Sequence, residues 1–227
     1  LVLSHRFGVG NSAFRTGGGA REVDTVPFGC FRAEVFQTLG LFDERMERHQ
    51  DYDMNQRIRR AGYRIVLDPR LHSRYIARAR FSGLMRQAWM TGLWNAFALH
   101  LNPVNRAMRH LLPAAFCANA GLSLLLAGWT VRGAAPGWLP LAAAPFWGLC
   151  LCYLLADLAV SLHTAARRGW VYAPLLAVLF PAYHLTYGAG VLWGALRVSL
   201  RRYPWQPGDG VPRWEEVHIA QSERLAP

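Results

Sequence analysis

The sequence predicts a helix-dominated α/β chain that ends in about three transmembrane helices. The 227 residues fall into two unlike halves: residues 1–110 hold 17 of the 25 basic side chains and 9 of the 14 acidic ones. Three long uncharged runs then follow, Leu111–Val131, Gly133–Ala156 and Gly169–Leu196. Each reaches the roughly 20 residues with which a helix crosses a hydrocarbon core of about 30 Å. Within the first half, short stretches of helical apolar spacing alternate with short β-type stretches closed by Gly or Pro. The averages hide this division: 52% hydrophobic and 17% charged is too apolar for an ordinary soluble domain and too charged for a pure membrane bundle.

Along the chain, Gly8, Gly10 and Gly17 to Gly19, with Asn11, Ser12 and Thr16, predict a loop, because glycine enters backbone regions closed to other residues. No Gly-Lys-Ser/Thr follows, so it is not a nucleotide P-loop. Val23 to Phe28 predicts a short strand ended by Pro27–Gly29. A helix is predicted over 32–39, with Val35, Phe36 and Leu39 on one side and Gly40 as its stop. A second is predicted over 51–61, with Asp51 as N-cap, Met54 and Ile58 as an i,i+4 apolar pair, and Gly62 as its stop. Tyr63 to Leu67 predicts a strand closed by Asp68–Pro69. With no further strands to cover them, the two helices are expected to expose Phe36, Leu39 and Ile58. Residues 76–100 predict an amphipathic helix, rich in Trp and flanked by Arg78, Arg80 and Arg86; this suits a membrane interface or a protein core equally.

The spans are placed at about 111–131, 138–160 and 171–196, with Trp129, Trp138, Trp170 and Trp193 near their ends as interfacial aromatics. Pro181, Gly188 and Gly190 leave open a break of the third run into a re-entrant pair. Arg74 to Arg109 and Arg167–Arg168 mark cytoplasmic sides, whereas Arg197, Arg201 and Arg202 leave the side of the polar tail (201–227) open. His184 and Tyr187 within the third run predict an interhelical hydrogen bond or a functional site.

Net charge is +11, and every basic residue is arginine. Such a surface attracts anionic phosphates, as in lipid headgroups or a lipid pyrophosphate. No basic run interleaved with aromatics appears outside a membrane-flanking context, which argues against nucleic acid. His72 with Arg74, and Arg78 with Arg80, make a basic face suited to headgroups. Cys30, Cys117, Cys150 and Cys152 have neither redox nor zinc spacing and predict free thiols.

The stretch from Gly40 to Gly62 carries the chemistry: Gly40-Leu-Phe-Asp-Glu, then Gln50-Asp51, then an arginine-rich helix closed by Gly62. A carboxylate at a helix start is held ionised by the helix dipole and backbone donors, which suits a general base. Asp51-Tyr-Asp53 is also an Asp-x-Asp, two carboxylates able to hold a metal, and a plain helix cap is the third reading.

This stretch resembles family 2 glycosyltransferases of the GT-A type. Val26-Pro-Phe-Gly-Cys-Phe-Arg32 resembles the loop and helix just upstream in that family. Phe7-Gly-Val-Gly-Asn-Ser-Ala-Phe-Arg15 resembles a loop of its succinoglycan-type exopolysaccharide branch. Gln87-Ala-Trp-Met-Thr-Gly-Leu-Trp94 resembles the family's Gln…Trp element, although with different spacing.

The resemblance implies an inverting transferase with Asp51 as catalytic base and Phe28, Gly29, Gln50, Gln87 and Trp94 on the substrate side. Trp94 would stack on the acceptor sugar. It implies that residues 1–75 are the C-terminal part of a GT-A domain, that 76–110 form an interfacial region, and that 111–200 are the transmembrane helices. The chain opens on Leu1, so a nucleotide-binding half of on the order of 100 residues is expected upstream. The ligands of a divalent metal, Mg or Mn, are expected mainly in that half and none here. The implied partners are a nucleotide-sugar donor, a lipid-linked or polysaccharide acceptor, and membrane lipid. The implied location is the bacterial cytoplasmic (inner) membrane, with the catalytic part cytoplasmic. The contrasting reading is a non-catalytic basic membrane protein that binds anionic lipid or a partner protein.

Overall fold

The computed structural model describes residues 2–9, 19–71, 76, 78–103, 111–133, 136–206 and 210. Helix dominates: α1 (Arg6–Val9), α2 (Ala33–Leu39), α3 (Gln50–Arg60), α4 (Phe81–Leu101), α5 (Leu112–Val131), α6 (Leu139–Arg168) and α7 (Tyr172–Ser199). The strands β1 (Arg21–Glu22) and β2 (Val66–Leu67) pair antiparallel, Arg21 opposite Leu67. The chain divides into two compact units, Leu1–Gly10 with Arg78–Leu93 and Ala107–Trp193, and Asn11–Ala77 with Trp94–Arg106 and Gly194–Pro227.

In the second unit, α2 and α3 close on the two-stranded ribbon around Val23, Val35, Met54, Ile58 and Ile65. Phe36 and Leu39 pack against this cluster, and Ile58 is only 3% exposed. Of the three side chains expected to be exposed, Ile58 is buried and Phe36 and Leu39 are half-buried, because the helices cover one another and the ribbon. The ribbon differs from the sequence expectation: β1 lies just before the predicted strand 23–28, and β2 covers only the last two residues of the predicted 63–67. Val23 still donates its N–H to the Ile65 carbonyl, but beyond it the Val26 carbonyl is taken by the Asn55 side chain rather than by a neighbouring strand.

Helix α3 begins one residue earlier than predicted. His49, in the left-handed region at φ 67°, precedes it, and Asp51 lies inside the first turn instead of capping it. Its end is as read from Gly62: that glycine takes φ 87°, its N–H bonds the Arg59 carbonyl, and the Tyr63 N–H bonds the Ile58 carbonyl. This double closure satisfies carbonyls that a helix end leaves orphaned. Gly40, at φ 76°, ends α2 with its N–H on the Phe36 carbonyl.

In the first unit, α5 and α6 are antiparallel neighbours. Asn119 donates to the Phe146 carbonyl, Trp147 donates to the Ser123 carbonyl, and Phe116 stacks on Tyr153 at 4.0 Å. Three helices are long and apolar enough to cross a membrane: Leu112–Val131, Ala143–Arg168 and Tyr172–Ser199. Leu124, Leu125, Leu149 and Val178 point outward from them, each more than half exposed, as lipid-facing side chains do. Helix α7 runs unbroken through Pro181, so the third apolar run is one helix, not a re-entrant pair. Glycines let its backbone approach its neighbours: a methyl group at Gly190 would strike the Trp89 carbonyl, and one at Gly188 the Pro113 carbonyl. His184 meets the Tyr153 hydroxyl at 2.7 Å and the Gly8 carbonyl at 3.2 Å, the interhelical bonding expected of it. All four cysteines are free thiols.

Candidate functional site

The first turn of α3 presents two carboxylates in opposite settings. Asp51 is exposed, and its Oδ1 accepts the Tyr52 N–H at 2.8 Å. Asp53 is 3% exposed. Its Oδ2 accepts from Arg57 Nε at 2.9 Å, and its Oδ1 accepts from Asn102 Nδ2 at 2.6 Å. The remaining donors of Arg57 reach the carbonyls of Leu39 at 2.8 Å and Leu41 at 2.7 Å. A buried carboxylate is tolerable when paired and fully hydrogen-bonded, and the planar guanidinium fork achieves both while tying α2's end to α3.

The Phe-Asp-Glu element lies beside this turn. Asp43 is buried and takes both Nε and Nη2 of Arg45, at 2.9 and 2.8 Å, with the Arg45 N–H at 3.0 Å. That bonding raises the Arg45 pKa above its ordinary value. Met46, Tyr52, Asp53, Asn95, Ala98 and Leu99 line a small recess. Gln50 is half-buried at the head of the helix.

Phe28 and Gly29 sit on the loop that follows β1. Asn55 of α3 anchors this loop by donating to Thr25 Oγ1 and to the Val26 carbonyl, both at 2.8 Å. Phe28 is 84% exposed and held at φ 51°, a region costly for a residue with a side chain. At Gly29 a methyl group would run into the Phe31 ring. An exposed aromatic in a strained loop is thus brought to the same unit as Asp51.

The Gln…Trp element is not laid out as the resemblance implies. Helix α4 begins at Phe81, not at residue 76, and buries Ala88, Leu93, Trp94, Ala96 and Phe97. Trp94 is 4% exposed and packs edge-on to Phe97 at 5.4 Å. In this structure the indole is part of the packing of α4. Gln87 is half-buried in the first unit, where its backbone carbonyl accepts from the Thr91 hydroxyl at 2.7 Å. His72, Arg74 and most of the loop Phe7–Arg15 lie outside the described residues.

Within Asp51-Tyr-Asp53 the two carboxylates differ in setting: Asp51 is exposed, whereas the oxygens of Asp53 accept from Arg57 and Asn102. Among the described residues no three His, Cys, Asp or Glu side chains come together to hold a metal ion.

Two members of this site are hard to find in the sequence. Arg57 is marked only by its i,i+4 spacing from Asp53. Asn102, 49 residues from Asp53, carries no local signal.

No family model matches the chain, and no solved structure matches it. Among curated proteins it is similar to the succinoglycan biosynthesis protein ExoA of Rhizobium meliloti (strain 1021), with 27% identity over 203 residues. The similarity covers 89% of this chain and 57% of that relative, so the chain spans a little over half the relative's length.

Proposed function

We propose that this chain carries the base and the acceptor side of an inverting, membrane-embedded glycosyltransferase of family 2 and GT-A type, acting in exopolysaccharide synthesis. One observation carries the reading: Asp51 stands exposed in the first turn of α3, while Asp53 two residues on is locked inside. Similarity to a protein named for succinoglycan biosynthesis over 89% of the chain supports the biological setting.

The chemistry follows from that turn. Asp51 takes the proton of an acceptor hydroxyl as the hydroxyl oxygen bonds to the anomeric carbon of a nucleotide sugar. The bond from that carbon to the diphosphate oxygen breaks, and the nucleoside diphosphate leaves on the opposite side, inverting the configuration. The positive end of α3 favours the carboxylate's negative charge before the transfer. Phe28, Gly29 and Gln50 are proposed to flank the acceptor. Gln87 is proposed as a substrate contact, and Trp94 as a packing residue. The donor's metal, Mg or Mn, is proposed to be held by residues other than those described, and no step here depends on it. The acceptor is proposed to be lipid-linked or a growing polysaccharide, reached at the inner face of a bacterial cytoplasmic membrane.

The test is a transfer assay. Membranes containing the whole protein are incubated with radiolabelled nucleotide sugars and a lipid-linked acceptor, and the anomeric configuration of the product is read by NMR. Transfer with inversion supports the proposal. Binding to anionic vesicles with no transfer from any donor favours the basic membrane-protein reading.

A further inference from the structure

The side-chain amide of Asn102 is placed where it sets the geometry of the first turn of α3. Asn102 follows the last residue of α4 and donates its N–H to the Ala98 carbonyl at 2.9 Å. Its Nδ2 donates to Asp53 Oδ1 at 2.6 Å, and its Oδ1 accepts from Arg60 Nη1 at 3.1 Å. One amide therefore bonds to both the first and the last turn of α3.

The bond to Asp53 is short and charge-assisted, the stronger class of hydrogen bond. The other contacts that fix Asp53 come from within residues 39–60: Arg57 on Oδ2 and the His49 carbonyl on the backbone N–H. Asn102 is the tie that comes from a distant part of the chain. Successive helical residues are turned by about 100°, so Asp51 and Asp53 point to nearly opposite sides of α3. Pinning Asp53 inward holds Asp51 outward.

We propose that Asn102 is a positioning residue for the base, acting through Asp53 and touching no substrate. This rests on the reading of Asp51 as that base. The chemistry singles out asparagine: leucine offers neither donor nor acceptor, and aspartate offers no donor and sets a second carboxylate against Asp53.

The test uses the whole protein in lipid nanodiscs, comparing wild type with Asn102→Leu, Asn102→Asp and Asp51→Asn. For both Asn102 variants kcat should fall at least tenfold while the KM for the nucleotide sugar stays within twofold. Hydrogen exchange should quicken at least tenfold at residues 51–54 and stay near wild type at the end of α3. A wild-type kcat in Asn102→Leu, or exchange quickened evenly across residues 19–71, overturns the proposal, the latter by showing a purely structural role. If Asn102→Leu does not fold, the same exchange comparison on Asn102→Ser decides. Near-normal turnover in Asp51→Asn sinks the underlying functional reading. Loss in Asp51→Asn beside full activity in Asn102→Leu sinks the present inference alone.

Discussion

Arg57 and Asp53 are joined at 2.9 Å on one face of α3, and the guanidinium that neutralises the carboxylate also caps the carbonyls of Leu39 and Leu41. One side chain thus holds the end of α2, the loop after it and the first turn of α3. Arg57→Met should leave Asp53 as an uncompensated buried charge, costing about 3 kcal/mol of stability in the second unit. Arg57→Lys, which keeps the charge and loses the fork, should cost about half as much. Denaturant unfolding followed by Tyr and Trp fluorescence measures both. A loss below about 0.5 kcal/mol for Arg57→Met, within the range of a surface pair, contradicts the role given to it.

The close approach of α7 to its neighbours gives a prediction within the first unit. Gly188→Ala and Gly190→Ala each set a methyl group on a backbone carbonyl of another helix and should each destabilise by about 1–3 kcal/mol. Gly121→Ala in α5, where a methyl group meets nothing within 4 Å, should be neutral or stabilising by up to about 1 kcal/mol. Thermal melts in detergent check the contrast; equal melting temperatures for the three variants contradict the packing.

The outward leucines of α5 and α6 predict integral insertion. The chain should stay in the pellet when membranes are washed with carbonate at high pH. Leu125→Arg, 73% exposed in the wild type on an uncharged helix, should reduce insertion by about 3–4 kcal/mol on a translocon scale. Release of the wild-type chain into the carbonate supernatant contradicts membrane spanning by α5, α6 and α7.

Much of this architecture is legible in the sequence where the deciding interactions are local. The uncharged runs mark α5, α6 and α7, and Gly40 and Gly62 mark the ends of α2 and α3 because left-handed closure favours glycine. What fails to show is set by distant partners. The start of α3 slips by one residue because His49 takes the left-handed turn before it. The burial of Ile58 and the partial burial of Phe36 and Leu39 depend on two helices and a ribbon finding one another. Trp94 reads as a platform for a sugar and is found buried, edge-on to Phe97, since periodicity reports an apolar face and not what covers it. The different settings of Asp51 and Asp53 follow in part from Asn102, which no spacing rule could connect to them.

The most direct test of the account compares the two carboxylates of α3 in the whole protein. Asp51→Asn keeps the size and most of the local hydrogen bonding but removes the proton acceptor, and a lost general base typically lowers the rate by about 10² to 10⁴. Turnover of nucleotide sugar by wild type, Asp51→Asn and Asp53→Asn is measured across pH. The kcat of Asp51→Asn should fall by about 10² or more while its fold and unfolding midpoint stay at wild type. Asp53→Asn should lose stability first, because Arg57 then faces a neutral partner. Near-normal turnover in Asp51→Asn with an unchanged pH profile would contradict the central claim.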